Sequence, residues 1–328
     1  MTVLVTGANG FVGAAVVRAL LSAGERVRVL VRPGSNRRSL EGLEIDSVDG
    51  DIRSIETLDA AMMSCRFVFH AAADYRLWVP NPEPMYATNV QGSVNVIEAA
   101  ARAGVEKLVY TSSVATLGSN ADGTPADEET PASLADMIGH YKRSKYLAEE
   151  AVYKRAGELG LAVVTVSPST PVGPRDIKPT PTGRIILDAA LGRIPAYVDT
   201  GLNIVHVDDV AGGHLLAMRS GTPGKRYILG GTDLSLREIL GLIATQTGRS
   251  SPTVCLPHWL VRLIAYVSEG RARLTGIEPR VSVDGVRMSA KRMYFSSAKA
   301  IKELGYRARP PEEAISAALD WFHEHDYL

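Results

Sequence analysis

Two side chains in HYKRSKYLAEE have the types and spacing for proton chemistry: Tyr141 and Lys145, four apart on a predicted helix. Residues at that interval project from one helix face, about 5–6 Å apart at Cβ. An isolated phenol titrates near pH ~10. A nearby ammonium favours the phenolate and lowers that value, so the pair predicts a proton donor and acceptor usable near neutral pH. Carbonyl reduction or alcohol oxidation needs such a group beside a hydride carrier. In a chain with 12 tyrosines the spacing alone is weak, and it gains from its company. The predicted strand KLVYTS runs into VYTSSVATLG, so Ser112 and Ser113 fall at a strand's carboxyl end, where open α/β sheets bind ligands. Either hydroxyl could hydrogen-bond the reacting oxygen; the other reading of Ser112 is a turn cap. Asn89 sits inside the predicted helix TNVQGSVNVIEAA, where its own preference is poor. A role holding water or backbone near Lys145 accounts for it, as does a buried polar residue that kinks the helix.

The carrier is predicted from the opening VLVTGANGFVGAAVVRALL. A strand, then Gly7, Gly10 and Gly13, then a helix form a dinucleotide-binding turn. The glycines let the backbone approach a pyrophosphate, and the helix N-terminus offers free N–H groups. Asn9, Phe11 and Val12 complete that loop as cofactor-binding candidates. An acidic residue at the end of the second strand would bind the ribose hydroxyls of NAD. Here Arg32 stands there, with Arg37 and Arg38 following. A guanidinium suits a 2′-phosphate and offers no acceptor to a hydroxyl, so NADP is expected over NAD. Asp51 and Ile52 follow the third strand and are placed to meet the adenine. Ala71, Ala72 and Ala73 follow the fourth and would line the cofactor's path, with Thr111 and Ser112 at the end of the fifth.

The elements that must position these residues are short apolar strands at 2–5, 26–31, 46–51, 66–71, 107–112 and 162–166, with helices at 14–23, 85–103 and 138–156. Their alternation, with strands apolar along their length, predicts an α/β fold: a Rossmann-type doubly wound parallel sheet covered on both faces. Residues 1–168 are expected to form the dinucleotide-binding domain. Residues 169–328 are expected to form a smaller mixed α/β substrate domain, with 203–217 able to return to the first. Residues 169–181 are proline-rich and read as loop. Strands are predicted at 203–207 and 226–229, and helices at 236–247, 256–267 and 312–322. Tyr75, Arg76 and Trp78 could reach over the pocket to grip a substrate, and 177–184 reads as a substrate loop. LPHWLVRLIAYV reads as a core or lid helix; its apolar content also suits a helix lying on a membrane.

Composition narrows the class. Lys plus Arg equals Asp plus Glu at 36 each, so no electrostatic footprint for nucleic acid is expected. Two cysteines, Cys65 and Cys255, form neither a disulfide framework nor a metal quartet, and a reducing compartment fits. His323 and His325 are the one close histidine pair, beside the last helix, so no metal is expected. No apolar run approaches the ~20 residues of a membrane span, and no signal peptide is read at the start. A cytoplasmic protein is expected.

TGANGFVG, HAAA, NVQGSVN, TSS, YKRSK and VHVDD fall in the order and spacing of the extended short-chain dehydrogenase/reductase superfamily, which the chain resembles nearly throughout. The stretches ADYRLW, TSSVATLG, IGHYKRSK, PSTPVGPRDIKPTPTGRII and YVDTGLNIVHVDDV resemble the hopanoid-associated sugar epimerases, and the tail FSSAKAIKELGYRARPPEEAI their dihydroflavonol reductase-like relatives too. The resemblance implies Tyr141 as acid/base, Lys145 as its electrostatic partner and ribose binder, and Ser113 as the serine on the substrate oxygen. It implies Pro168 to Thr170 beside the nicotinamide amide, a bacterial setting near hopanoid synthesis, and a homodimer through the 85–103 and 138–156 helices. The substrate would be a small molecule with a hydroxyl or carbonyl, such as a sugar or nucleotide sugar. Two departures stand out. Nucleotide-sugar epimerases often carry tyrosine where this chain has Val172, and many carry an acid where it has Arg32. Sugar epimerisation and simple carbonyl reduction are both compatible with these residues. A non-catalytic NADP sensor is the reading from another class, and it would not need Ser113, Tyr141 and Lys145 together.

Overall fold

The computed structural model describes residues 2–120, 122–276, 279 and 281–328. Its strands are β1 (Thr2–Thr6), β2 (Arg26–Val31), β3 (Asp46–Asp49), β4 (Cys65–His70), β5 (Lys107–Thr111), β6 (Val163–Pro168), β7 (Thr170–Val172), β8 (Ala196–Tyr197), β9 (Gly201–His206), β10 (Arg226–Leu229), β11 (Thr232–Ser235) and β12 (Val254–Cys255). Its helices are α1 (Phe11–Ser22), α2 (Ile55–Met62), α3 (Glu83–Tyr86), α4 (Gly92–Arg102), α5 (Gly139–Leu159), α6 (Pro181–Ala190), α7 (Val207–Ser220), α8 (Leu236–Thr247), α9 (His258–Thr275), α10 (Val283–Ser289), α11 (Ala298–Leu304) and α12 (Pro311–Glu324).

Seven strands form one sheet in the order β10-β6-β5-β4-β1-β2-β3, and every pairing in it is parallel. The apolar runs are therefore buried on both faces. On one face Val3, Val5 and Val29 pack with Val16 and Leu20 of α1 and Val210 and Leu215 of α7. On the other, Leu4, Val68 and Leu108 pack with Leu58 of α2, Ile97 of α4 and Val152 of α5. The strand order reverses between β1 and β4. Their carboxyl ends therefore open a crevice at the place where such sheets take ligands.

A three-stranded sheet, β11-β9-β7, and a parallel pair, β12-β8, build the smaller part. Its core joins Ile186 of α6, Ile239 and Ile243 of α8, and Ile315 and Phe322 of α12.

The second half departs from the sequence reading in three places. The 226–229 strand, expected in the smaller part, is β10 at the edge of the main sheet, paired with β6. Residues 201–206 remain in the small sheet, while α7 packs back under the main one. The proline-rich loop is also more ordered than its composition suggests. Thr170–Val172 pairs with β9, and Pro181 starts α6, where its fixed φ and missing N–H suit a first helical turn.

Candidate active site

At the carboxyl end of β1 the three glycines have different jobs. Gly7 has φ +69°, and a Cβ there would lie 2.5 Å from the Ala72 backbone nitrogen. A Cβ on Gly13 would lie 2.1 Å from the Gly7 carbonyl oxygen. Those two glycines let loop, helix and the segment after β4 touch. Gly10 is different: it caps α1 without a side-chain hydrogen bond, and among the described residues beyond its chain neighbours only the Gly7 oxygen comes close to a Cβ there, at 3.2 Å. The first turn of α1, with Phe11, Val12 and Gly13, thus presents its N–H groups to open space. Asn9 holds the next loop in place, donating to the Asn36 carbonyl and accepting from the Ser39 hydroxyl at 3.0 Å.

The arginines after β2 separate. Arg37 pairs with Asp49 and reaches Ser47, both on β3. Expected at the cofactor, it is spent on the sheet edge instead, because the loop turns its side chain back toward that strand. The Arg32 guanidinium is exposed and donates no hydrogen bond to the described residues. It lies close enough to Asp51 and Asp74 to help hold both carboxyls low; the larger share comes from the Arg53 hydrogen bonds for Asp51 and, against burial, from the Arg76 hydrogen bonds for Asp74. The Ile52 side chain is in the core against Gly92. Ala71 and Ala72 lie against Gly7, with the Ala71 amide on the Thr6 carbonyl.

At the other end of the crevice the catalytic candidates converge. Lys145 is buried; its Nζ donates to the Thr111 carbonyl at 2.9 Å and the Tyr110 hydroxyl at 3.2 Å, and lies 4.7 Å from that ring's centre. Burial brings its amine down to about 8, against the pull of Glu149. Tyr141 lies one turn earlier on α5. Its phenol is pushed above the usual value by burial, with a hydrogen bond from Ser113 pulling the other way and Tyr75 adding to the rise. That corrects the expectation of an ammonium-lowered phenol: Lys145 spends its hydrogen bonds on the β5 end, and desolvation governs Tyr141. Thr111 turns its hydroxyl away, to His214 of α7 at 3.0 Å.

The two serines divide the work. Ser112 is buried and donates to Glu149 Oε2; Ser113 stays beside Tyr141 and accepts the Ala115 amide at 3.1 Å. Glu149 was missed by the sequence reading. It is buried one turn past Lys145 and also accepts from Thr116 at 3.0 Å and from Arg226 of β10 at 2.7 Å. The signal was available: 141, 145 and 149 mark one helix face at intervals of four.

Asn89 lies in a π-helical turn, Ala87–Gln91, that joins α3 to α4. Its side chain grips the Asp74 backbone on both sides, at 2.7 and 2.9 Å, and donates to Ser144 of α5 at 2.8 Å. It ties the segment after β4 to the helix of Tyr141. Beneath it, Ser93 donates to the Asn89 carbonyl and contacts His70, which bonds Thr6 at 2.7 Å. Burial holds His70 neutral, its pKa brought down to about 3. Tyr75 is exposed and close to both Tyr141 and Asp176; Trp78 is half-buried. Asp176, also missed, is buried, accepts two hydrogen bonds from Thr180 at 2.8 Å, and has its carboxyl pushed up to about 6 by burial. Pro168 ends β6 and Thr170 begins β7; between and before them, the Ser169 and Ser167 hydroxyls are buried with no hydrogen-bond partner among the described residues. No group of metal-ligating residues occurs among the described residues.

A parallel sheet with a glycine turn at its switch point, and a tyrosine and lysine one helical turn apart beneath it, define an NAD(P)-dependent enzyme of the short-chain dehydrogenase/reductase type. Residues 3–230 match the NAD dependent epimerase/dehydratase family, and the chain belongs to it. It is 46% identical over 328 residues to a putative dihydroflavonol 4-reductase of Synechocystis, covering 99% of this chain and 95% of that protein. It is 33% identical over 326 residues to sterol demethylase protein B of Methylococcus capsulatus, covering 99% of each. Among solved structures, gox2253 superposes with a TM-score of 0.90 at 51% identity, covering 100% of this chain and 99% of that one. The UDP-glucose 4-epimerase of Thermus thermophilus, in complex with NAD, gives 0.78 at 26% identity, covering 98% and 99%. The chain is thus an oxidoreductase of that family, with dihydroflavonol reductase-like kin.

Proposed function

We propose that this chain is an NADP-dependent reductase of a ketone or aldehyde, working with a Ser113–Tyr141–Lys145 site. The carrying observation is the pair of ends of one crevice: at one, an exposed Arg32 that donates no hydrogen bond to the described residues, and at the other, Ser113 against a half-buried Tyr141. The residues fit a dinucleotide. The bare first turn of α1 and the open face of Gly10 suit a pyrophosphate. Arg32 suits a 2′-phosphate, Asp51 and the Ile52 backbone the adenine, Lys145 the nicotinamide ribose, and the unpartnered Ser167 and Ser169 hydroxyls the carboxamide. When bound, the nicotinamide supplies a hydride to the substrate carbon.

The chain's own residues handle the oxygen. Ser113 donates a hydrogen bond to it, polarising the carbonyl. Tyr141 holds its proton up to high pH because it is buried, and gives that proton to the oxygen as charge develops. Lys145 fixes the end of β5 against α5 through the Thr111 carbonyl, holding the segment of Ser113 beside the helix of Tyr141. Tyr75 covers this point from the segment that Asn89 anchors.

A second reading, sugar epimerisation, is supported by the stretches shared with hopanoid-associated sugar epimerases and by the NAD-bound epimerase of the same fold. Val172 in place of the common tyrosine, and the reductase relatives, favour net reduction. The deciding experiment needs no substrate. Freshly purified protein is denatured before and after long dialysis, and released nucleotide is identified by mass. An empty protein that binds added NADPH reversibly, and loses that preference over NADH in Arg32→Glu, supports the reductase. Stoichiometric nucleotide surviving dialysis supports the epimerase, and NAD in that position overturns the role given to Arg32.

A further inference from the structure

α9 is built inside out. Its small residues face the protein: Ala265 is 0% exposed and Ala272 2%. Its large ones face away: Trp259 is 64% exposed, Val267 75% and Leu274 90%, with Leu263, Ile264 and Tyr266 beside them. Of the thirteen large apolar side chains that the described residues expose, these six lie on this one helix. At 100° per residue, Tyr266, Trp259, Leu263, Leu274 and Val267 form one continuous stripe, about 100° wide. The sequence reading of this segment as a core or lid helix places those residues inward. The packing is the reverse: α10 packs against this helix, and the alanines are its buried residues.

We propose that α9 docks the protein on the surface of an anionic lipid bilayer, without crossing it. No described helix is long and apolar enough to span a membrane. The stripe has the composition of an interfacial helix: aliphatic residues for the acyl boundary, and a tryptophan and a tyrosine whose polar tips suit the headgroup level. Arg262 and Arg271 flank it on either side, exposed and without a salt bridge among the described residues. Glu269, the acid of this helix, turns inward to accept the Val283 amide at 2.7 Å. The face is therefore apolar with a positive border, on a chain whose net charge is zero. That charge pattern selects the occupant. A second copy would meet the same face across a two-fold axis and bring one arginine border against the other. Anionic headgroups complement both.

The test uses the full chain and sedimented vesicles, of pure phosphatidylcholine and of an equal mixture of phosphatidylcholine and phosphatidylglycerol. The protein is expected to sediment with the mixed vesicles, more weakly with phosphatidylcholine, and less as salt rises. A triple variant, Trp259→Ser, Leu263→Ser and Val267→Ser, is expected to stay in the supernatant. Each of Arg262→Gln and Arg271→Gln should weaken binding to the mixed vesicles about fivefold. All five positions are exposed, so the variants should keep the native circular dichroism and NADPH binding; that control separates lost docking from lost fold. The proposal is overturned if the native chain ignores both vesicle types, or if the triple variant still binds. It is equally overturned if sedimentation equilibrium shows a native dimer that the triple variant converts to monomer with no vesicle binding, since a second copy then covers α9. The outcome is independent of the reaction proposed above.

Discussion

Glu149→Gln keeps the shape of a buried side chain and removes its charge. In the native protein one carboxylate oxygen accepts from Ser112 and Thr116, and the other accepts twice from Arg226. An amide has one oxygen to offer. Thr116 has a second acceptor in the Ser113 carbonyl at 2.9 Å, whereas Glu149 is the one carboxylate that Arg226 pairs with among the described residues. The amide oxygen therefore turns to Arg226, and the Ser112 hydroxyl loses its acceptor, a cost of about 1 kcal/mol. Removing one charge of a buried pair costs about 3–5 kcal/mol when the other stays dry. The Arg226 side chain keeps 24% of its exposure, so water offsets part of that. The total is about 3 kcal/mol, readable as a fall in the urea midpoint at constant m-value. The same change reaches the reaction. Ser112 and Thr116 bracket Ser113, so kcat should fall roughly tenfold to a hundredfold with KM little changed. Glu149 also holds the Lys145 amine up at about 8. Without it the lysine loses its proton at lower pH, and the alkaline limb of the kcat/KM profile moves down. A variant that loses stability but keeps both kcat and the pH profile would show that Glu149 braces the sheet and nothing more. Unchanged stability would refute the buried-pair reasoning itself.

Three further outcomes are expected. Tyr141→Phe should keep the melting temperature and nucleotide binding while turnover drops about 10²–10⁴-fold, measured with any ketone the native enzyme reduces. Gly13→Ala should lose both stability and NADPH binding, because its Cβ meets backbone at 2.1 Å; Gly10→Ala, with only a 3.2 Å contact, should melt near the native temperature and lose nucleotide affinity alone. Acid should weaken the fold through His70 and His214, whose burial lowers their pKa values to about 3 and about 4. The unfolded chain takes up these protons first, so stability falls as pH drops below about 6.5, by about 2 kcal/mol per histidine at pH ~5. Asp176, raised to about 6, works in the opposite sense over the same range. His214→Gln leaves Asp176 in place, so its urea stability should lose about 2 kcal/mol less than the native protein's between pH ~7.5 and ~5; an equal loss would sink the assignment.

The dinucleotide end of the site was legible because it is made of local steric demands. Gly7 and Gly13 are glycines since any Cβ strikes backbone within a few residues or in the loop beside it, and such requirements leave their mark in the sequence. The alternation of β1–α1–β2 and the apolar strands were legible for the same reason: burial on both sheet faces acts on every residue of the strand. The catalytic end is made of burial and distant partners. Whether Lys145 lowers the Tyr141 phenol depends on how much water each retains and where the ammonium donates, and neither quantity is in the spacing. Arg226 read as a strand residue of the smaller part because nothing local ties it to Glu149, 77 residues earlier.

Glu149 and Arg226 also explain why the active end needs the chain's second half. β10 brings Arg226 to the sheet edge, Arg226 neutralises Glu149, and Glu149 holds Ser112 and Thr116 around Ser113. Asn89 does the equivalent on the other side, fixing the Asp74 backbone to the helix of Tyr141. The groups proposed to react touch few of one another directly; each is set by a buried polar residue supplied from further away. A site assembled this way should tolerate changes at exposed Tyr75 and half-buried Trp78 better than at buried Asn89 and Glu149, because only the buried pair leaves unpartnered polar groups behind when removed.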